Sequence, residues 1–358
     1  MEYTKLKNIN FYKSENINPS KYPNDVFEMY SVPIYETGHP EYLRGEEIAS
    51  SKSLVKKNDI LLCKINPRIN RVWIVKDESD KINIASSEWI VIRNDEYNPE
   101  FLAWYLRSPK FQKLMTSEVT GIGGSLTRAQ PKRVAEYPVP VLPFREQNEI
   151  AIVLNKAKGI IDNRKQELFM LDELIKARFV ELTESVNTVA TRMGDIATYI
   201  NGYAFKPTDW TESDLPIIRI QNLNDVNAKY NYFDGKIDSK YLVTTGDVLV
   251  SWATHLEAYI WDGDSAWLNQ HIFKALFDKM PINKLYFVYA TEDALRQAFK
   301  NAHGFKPTME HIKRRDFENA IVKLPDMEIQ NQFADFVART NKSKLLEAWQ
   351  AGFIAKIR

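Results

Sequence analysis

The apolar positions between residues 142 and 182 recur at intervals that alternate between four and three residues. This spacing predicts a long helix that packs against another helix along a narrow seam, as in a coiled coil. At a rise of about 1.5 Å per residue, the helix would be a rod about 55 Å long, which indicates a spacer between two domains. The predicted seam residues are Ile150, Leu154, Ala157, Ile161, Leu168, Leu171, Ile175 and Leu182, with Arg164 and Arg178 on the same seam.

The segments before and after this helix follow the same order of elements. Residues 247–252 resemble residues 59–64, and a helix predicted at about 283–300 repeats one predicted at about 99–118. The other predicted strands lie at about 71–75, 89–92 and 137–142 in the first copy, and at about 272–277 and 321–325 in the second. The sequence therefore predicts a duplicated unit with a period of about 180 residues, far longer than a solenoid repeat.

The chain ends on a second helical stretch that begins like the first. Residues 328–337, EIQNQFADFV, match residues 145–154, REQNEIAIVL. Since each helix follows a similar domain, we expect the two helices to pack as an antiparallel pair, with the domains related by an approximate two-fold axis. The predicted seam residues of the second helix are Phe333, Val337, Leu346, Trp349 and Phe353.

The predicted fold class is therefore mixed α/β, with two α/β domains that each contain a mixed sheet. Two long helices, packed as an antiparallel coiled coil, separate them. The predicted boundaries are residues 1–141 for the first domain, 142–190 for the central helix, 191–324 for the second domain and 325–358 for the C-terminal helix.

Composition excludes several classes of protein. No apolar run approaches the roughly 18 residues of a membrane span, and the first residues, MEYTKLKNINFYK, lack the apolar core of a signal peptide. The single cysteine, Cys63, excludes an internal disulfide framework. We therefore expect a cytoplasmic protein without membrane association.

Motifs for catalysis or cofactor binding are not found in the sequence. There is no GxxxxGK[ST] phosphate loop, and the five histidines lack the spacing of zinc ligands. The nearest approach to the Asn-Pro-Pro-Tyr-type element of a methyltransferase is Asn66-Pro67-Arg68, which lacks the second proline and the aromatic residue. This pattern favours a binding subunit over an enzyme, with no metal or cofactor of its own.

Positive charge is concentrated locally, although the net charge is only +1. Basic residues cluster between Lys56 and Lys76, at 128–133 and at 300–315. Such patches can bind the phosphate backbone of DNA whatever the net charge. An ordinary solvated surface would explain them equally well.

Residue type selects candidate DNA contacts within these clusters, because arginine and lysine pair with guanine or phosphate and amides pair with adenine. In the first domain the candidates are Lys64, Asn66, Arg68, Asn70, Arg71, Ser125, Thr127, Arg128 and Lys132. In the second domain they are Tyr203, Phe205, Lys206, Arg219, Gln221, Asn222, Trp252, Thr254, His255, Lys306, Thr308 and Lys313. A structural role remains open for each, and Asp59 and Asp247 are interpreted as turn or cap residues.

Four stretches in order resemble the specificity (S) subunit of type I restriction-modification enzymes. Residues 142–182 are similar to the central conserved region of that family, and residues 324–358 to its second, weaker copy. NDILLCKINPRINRVWIV resembles a stretch of many target-recognition domains, and MGDIATYINGYAFK followed by LPIIRIQNL resembles the opening of such a domain. The first domain departs from the pattern, because its start, YTKLKNINFYKSENI, is different or shortened.

The resemblance implies a DNA-binding subunit for phage defence. Each target-recognition domain would read one half of a split, asymmetric site in double-stranded DNA, and the helix pair would fix the unread spacer. Two modification (methyltransferase) subunits and the restriction (translocase/nuclease) subunits would be its partners. S-adenosylmethionine, ATP and Mg would be bound by those partners, and this chain would carry no cofactor.

The sequence leaves two other functions open. The chain could be a non-catalytic coiled-coil scaffold that binds proteins without DNA readout, although the basic clusters argue against it. A fused methyltransferase is disfavoured by the lack of cofactor and catalytic motifs and of room for a catalytic domain.

Overall fold

The chain folds into two compact units, which divide within the long central helix: unit 1 is Met1–Asp162 and unit 2 is Asn163–Arg358. The computed structural model describes residues 2–117, 119–120, 127–184, 186–225, 227–253, 256–303 and 312–355. Among these residues no helix is both long enough and apolar enough to cross a membrane.

Unit 1 is built from short strands and four short helices that precede the central helix. The strands are β1 (Glu2–Lys5), β2 (Asn16–Ile17), β3 (Val26–Tyr30), β4 (Glu41–Arg44), β5 (Lys52–Leu54), β6 (Ile60–Cys63), β7 (Val72–Ile74), β8 (Ile82–Ala85), β9 (Trp89–Ile92), β10 (Val119–Thr120), β11 (Arg128–Ala129) and β12 (Pro138–Val141). The helices are α1 (Leu6–Ile9), α2 (Pro99–Arg107), α3 (Pro109–Ser117), α4 (Pro131–Val134) and the central α5 (Phe144–Glu184).

Unit 2 repeats this construction. Its strands are β13 (Val189–Arg192), β14 (Thr198–Asn201), β15 (Leu215–Ile218), β16 (Asn231–Phe233), β17 (Leu242–Val243), β18 (Val248–Ser251), β19 (Glu257–Ile260), β20 (Ala266–Leu268), β21 (Ile272–Leu276) and β22 (Ile321–Leu324). Its helices are α6 (Met193–Ile196), α7 (Ile220–Asn224), α8 (Lys284–His303), α9 (Arg314–Asn319) and α10 (Met327–Ala355).

The central strands of the sheets correspond between the two units, although the numbers of edge strands differ. The order β7-β6-β9 in unit 1 matches β19-β18-β21 in unit 2, where β14 adds an edge strand. In the second sheet of each unit one parallel pair, β3 with β8 or β15 with β20, is flanked by antiparallel strands. The terminal pairs β1–β12 and β13–β22 are both antiparallel. The predicted duplication and the mixed α/β class are confirmed.

Apolar runs explain the central strands, because β6 and β18 are buried along their whole length and cannot show an alternating pattern. The helix predicted at 99–118 is wrong in one respect. It is broken between α2 and α3, where Ser108 precedes Pro109. Proline restricts the preceding residue to extended conformations, and Ser108 has ψ 148°. Its counterpart α8 contains no proline and runs unbroken over 20 residues.

The start of unit 1 also corrects an expectation. Residues 2–9 form the strand and short helix β1–α1, as residues 189–196 form β13–α6. Leu6 and Ile9 are buried at the places of Met193 and Ile196. The opening is thus present in both units at the level of structure, although the sequences differ.

The central helix α5 is 41 residues long, and its less exposed positions follow the predicted interval of three and four residues. The prediction that Ile150 lies on the buried seam is wrong, because Ile150 is 37% exposed. Its neighbour Ala151 is 3% exposed and belongs to the core of unit 1. Leu154, Ala157, Ile161, Leu168 and Leu171 are half-buried, and Ile175 and Leu182 are buried. Arg164 and Arg178 are half-buried and form ion pairs one turn along the helix with Glu167 and Glu181.

Within unit 2 the last turns of α5 contact the first turns of α10. The ring centroids of Phe179 and Phe333 are 5.4 Å apart, and both residues belong to one core with Ile175, Leu182 and Val337. The end of one helix therefore meets the beginning of the other, as an antiparallel pair requires. The predicted seam residues Leu346, Trp349 and Phe353 have side chains outside the described part of the structure, so the pairing beyond this contact stays a prediction.

Candidate nucleic-acid interface

The two candidate clusters of unit 1 form one surface. Beyond β6 the chain pairs with β11, where Ile65 and Arg128 form an antiparallel bridge. The backbone N–H of Asn66 donates to Thr127 at 2.7 Å, and that of Ala129 donates to Lys64 at 2.8 Å. Residues 64–71 and 127–132, which are far apart in sequence, are thereby held side by side.

The loop from Asn66 to Asn70 is anchored at both ends. Asn66 has a positive φ of 46°, which turns the chain. The Gln112 side chain donates to the Pro67 carbonyl, and the Asn70 amide donates to the Arg107 carbonyl at 2.7 Å. Asn70 therefore holds the loop against α2, although it was predicted as a DNA contact, and Arg68 stays exposed on the loop.

Acidic and carbonyl groups orient the basic side chains of this surface. Glu88 accepts from Arg128 at 3.2 and 3.3 Å, and this contact raises the pKa of Arg128. The Lys64 ammonium donates to the Ser87 carbonyl at 2.5 Å. Lys132 is exposed on α4, and Arg71 is half-buried. Thr127 is buried, so its side chain is less accessible to DNA than predicted.

Cys63 precedes this surface but belongs to the core. Its thiol is buried and donates to the Ile65 carbonyl at 3.3 Å. Burial raises the pKa of the thiol, so it stays protonated and is a poor nucleophile at neutral pH.

Unit 2 has the same junction between strand β18 and the segment before α9. The backbone N–H of Ile312 donates to the Trp252 carbonyl at 3.1 Å, as Ala129 donates to Lys64. Trp252 itself stacks on Phe273 with ring centroids 5.7 Å apart, so this predicted contact is part of the core's edge. Lys313 is exposed at the start of α9.

Five predicted contacts, Ser125, Thr254, His255, Lys306 and Thr308, lie outside the described residues.

The opening of unit 2 forms a cleft of about 850 Å³. Three candidates, Phe205, Arg219 and Gln221, line it together. Other lining residues are Pro207, Trp210, Ile220, Asn224, Asp225, Ala228, Asn269, Gln270 and His271. Amide groups, an arginine and aromatic rings in one concave site are the chemical groups that bind the edges and faces of nucleobases.

The Arg219 side chain is held in place within this cleft by two contacts. Its guanidinium lies 5.5 Å from the Trp210 ring centroid, and its Nη1 donates to Asn231 at 3.0 Å. The backbone N–H of Arg219 donates to the Asn222 side chain at 3.1 Å. Asn222 is buried and also donates to backbone carbonyls of Ala228 and Lys229, so its amide holds the loop, and its predicted DNA contact stays a prediction.

Aromatic rings support one wall of the cleft. Tyr203 contacts Phe205 and Tyr241 with ring centroids at 4.9 and 5.5 Å, and Phe205 contacts Phe233 at 5.2 Å. Tyr203 therefore packs behind Phe205 and is not among the residues that line the cleft, whereas Lys206 is exposed on the adjoining turn.

Sequence reasoning missed Trp210, Asn224 and the turn Asn269–His271 in this cleft. The turn offered a signal, since three polar residues stand between the apolar strands β20 and β21. Among the described residues, no group of three or more His, Cys, Asp or Glu side chains could hold a metal ion.

Comparison with known proteins finds a similarity to one family. Residues 186–348 match the family model described as Type I restriction modification DNA specificity domain. The match covers slightly less than half of the chain and lies within unit 2. The resemblance to specificity subunits is thereby confirmed.

Two Escherichia coli proteins are similar to parts of the chain. The type I restriction enzyme EcoBI specificity subunit is 28% identical over 145 residues, which are 40% of this chain and 30% of that protein. The EcoAI specificity subunit is 26% identical over 160 residues, which are 41% of this chain and 26% of that protein. The match thus spans less than a third of either relative.

Solved structures support the fold. A chain from a structure on complex assembly and conformational transition of the type I R-M system has a TM-score of 0.57 at 16% identity, covering 99% of this chain and 95% of that one. The S subunit of a type I restriction-modification system from M. genitalium has a TM-score of 0.56 at 11% identity, covering 99% and 93%. At these identities the likeness concerns the fold alone.

Proposed function

We propose that the chain is the DNA-sequence specificity subunit of a type I restriction-modification complex. Each unit reads one half of a bipartite, asymmetric site in double-stranded DNA, and the two long helices set the spacer between the halves. The observation that carries this proposal is the repeated junction at Lys64–Ala129 and Trp252–Ile312, which holds the end of a buried strand beside a basic segment in both units.

Differences within this common frame support separate half-sites. Unit 1 offers charged side chains, with Arg68 and Lys132 exposed. Unit 2 offers the cleft around Arg219, with aromatic and amide groups. One scaffold with two chemically different surfaces suits an asymmetric target, because base edges are read by side-chain chemistry while the scaffold fixes position.

Exposed apolar residues on α5 support binding of protein partners. Ile152, Val153, Phe169 and Met170 are each more than half exposed. Such residues on a long helix suit a protein interface. We propose that two modification subunits, and through them the restriction subunits, dock on the helical parts. Those partners, in the cytoplasm, would bind S-adenosylmethionine, ATP and Mg, while this chain contributes recognition without catalysis.

Methylation mapping tests the proposal. The chain would be expressed with its modification subunits in a host lacking other adenine methylation, and methylated adenines located by long-read sequencing. We expect one bipartite motif with a constant spacer. Exchange of residues 1–141 for another recognition unit should alter one half-site only, and a change in both halves would contradict separate reading.

The alternative is a coiled-coil scaffold without DNA readout. The exposed apolar residues of α5 support this function as well. Selection from a randomised duplex pool by the complex with modification subunits separates the two. Enrichment of a split motif supports specificity, whereas retained partner binding with no enriched sequence supports the scaffold.

A further inference from the structure

Gln147 on the first turn of α5 is tied to two other parts of unit 1. It is 2% exposed. Its Oε1 accepts from the backbone N–H of Asn98 at 2.9 Å, and its Nε2 donates to the Leu142 carbonyl at 2.8 Å. Asn98 precedes α2, and Leu142 follows β12. One side chain therefore joins the long helix to a helix and a strand of the unit.

Asn98 completes this arrangement. Its Nδ2 donates to Asn148 on α5 at 2.6 Å, while its Oδ1 accepts from the backbone N–H of Phe101 and caps α2. We call the group Gln147, Asn98 and Asn148 the amide latch of unit 1.

Unit 2 contains the same latch at Gln330, Asn283 and Asn331. Gln330 is also 2% exposed, accepts from the Asn283 N–H at 3.0 Å and donates to the Pro325 carbonyl at 2.9 Å. Asn283 donates to Asn331 at 2.9 Å and caps the following helix through Tyr286. Every hydrogen bond has its counterpart, although the two unit sequences have diverged elsewhere.

The hydrogen bonds of the buried glutamine amides restrict direction. A side chain with both ends committed allows little rotation, and losing it leaves buried donors and acceptors unsatisfied. Apolar contacts between helix and unit, such as Ala151 in the core of unit 1, are less directional. The latch is thus the directional part of the contact between each unit and its own long helix.

Because α5 is long, a small change of angle at its first turn produces a large displacement at its other end. At about 1.5 Å per residue, the 41 residues of α5 extend about 60 Å. A tilt of about 5° at the first turn moves the far end by about 5 Å, which is more than the rise of one base pair, about 3.4 Å. The angle at the latch therefore matters on the scale of single base pairs.

We propose that Gln147 and Gln330 are positioning residues for spacer length. Each holds its recognition unit at one angle on its helix, so that the complex accepts a single spacing of the half-sites. This inference rests on the proposed function. Neither glutamine touches DNA, and their loss leaves the bases that are read unchanged.

Methylation mapping of Gln147→Met and Gln330→Met, in the full complex with modification subunits, tests this role. We expect the same two half-sites, with the preference for the native spacer over spacers one base pair longer or shorter reduced by about tenfold. Gln166→Met on α5 and Gln332→Met on α10 replace exposed glutamines of the same helices and should leave the spacer unchanged.

A second set of variants guards against misfolding. Asn98→Asp alone keeps a helix cap, and the Asn148 amide can turn to donate to the new carboxylate. Asn148→Asp alone still accepts from Asn98. The double variant places two carboxylates in contact, so relaxed spacing is expected from the double variant and from neither single one.

Two outcomes would overturn the inference. Fewer methylated sites with an unchanged spacer, in both sets of variants, would make the latch a contributor to stability alone. Absence of any bipartite motif with the native chain would instead refute the proposed function and this inference with it.

Discussion

Arg93 binds the buried carboxylate of Asp59 with two hydrogen bonds, Nε to Oδ1 at 2.8 Å and Nη2 to Oδ2 at 2.7 Å. Asp59 is 1% exposed and also accepts from the backbone N–H of Lys56 at 2.9 Å. The pair joins the end of β9 to the turn before β6, and the Asp59 contact raises the pKa of Arg93. The interpretation of Asp59 as a turn residue is confirmed.

Arg93→Met is expected to destabilise unit 1 by about 3–5 kcal/mol, because it leaves a buried carboxylate without its partner. The shift of the urea unfolding midpoint measures the loss of stability. Hydrogen exchange of the β6 amides then shows whether the loss lies in unit 1. Asp247→Asn in unit 2 is the comparison, since Asp247 caps its turn through the Thr244 N–H at 2.8 Å, and about 1 kcal/mol is expected. Equal effects would contradict the importance of the ion pair.

Glu136 gives unit 1 an acid-sensitive contact. Lys7 and Lys5 at 2.7 and 2.9 Å hold its pKa at about 2, below the ordinary 4.5. A carboxyl group whose pKa is lowered by folding stabilises the folded state at every pH above its pKa in the unfolded state. That contribution is lost as the pH falls from about 4.5 to about 2. Glu136→Gln should lower the melting temperature slightly at neutral pH and not at about pH 2. Glu149→Gln on α5, which leaves this network intact, is the control.

Arg68→Ala and Arg128→Ala should each weaken DNA binding by the whole complex. Every phosphate contact releases counterions, so the slope of log K against log salt should fall by about one per lost contact. Titrations at several salt concentrations measure the slope. Lys165→Ala, an exposed change on α5, should leave it unchanged. Unaltered affinity and slope in both arginine variants would remove this surface from the interface.

Arg219→Ala should relax base preference at one position of the half-site read by unit 2. The expected loss of discrimination is about 1–3 kcal/mol, the range for one good arginine–base contact. Selection from a randomised pool gives the preference at every position. Lys236→Ala, an exposed change in the same unit, should leave all positions unchanged. A change in the other half-site would contradict the assignment.

Inserting one heptad within residues 150–182, together with the matching insertion in α10, should lengthen the unread spacer. The apolar seam keeps its phase because a heptad preserves the pattern. Methylation mapping should return the same half-sites at a greater separation. An unchanged spacer in a complex that still methylates DNA would show that the helices do not set the distance.

Local patterns were sufficient for some elements of this chain, whereas strands such as β3, β8, β15 and β20 were not predicted. The all-apolar runs of β6 and β18 and the periodic helix α5 were predicted because each depends on neighbours in sequence. The break at Ser108 was missed although Pro109 marks it. The apolar pattern is helical on both sides of the break, so it did not indicate the conformational restriction that Pro109 imposes on Ser108.

The candidate site was predicted less completely, because residue type does not separate a reader from a structural amide. Asn70 and Asn222 have the chemistry to bind adenine, yet their amides bond to backbone carbonyls within their own units. The cleft around Arg219 combines side chains from segments some 60 residues apart, such as Trp210 and Gln270. Such proximity follows from strand pairing, which short-range patterns do not specify.

The repeated latch also has an evolutionary consequence. Asn98 and Asn283 present the same donors and acceptors to their helices. The hydrogen bonds of the latch therefore do not depend on the sequence of the rest of each unit. If the units read DNA as proposed, a recombination event that replaces everything between β1 and β12, but retains this asparagine, would supply a new reading surface that still fits its helix. Diversity of targets can then arise by shuffling whole units, without renewed selection on how they attach.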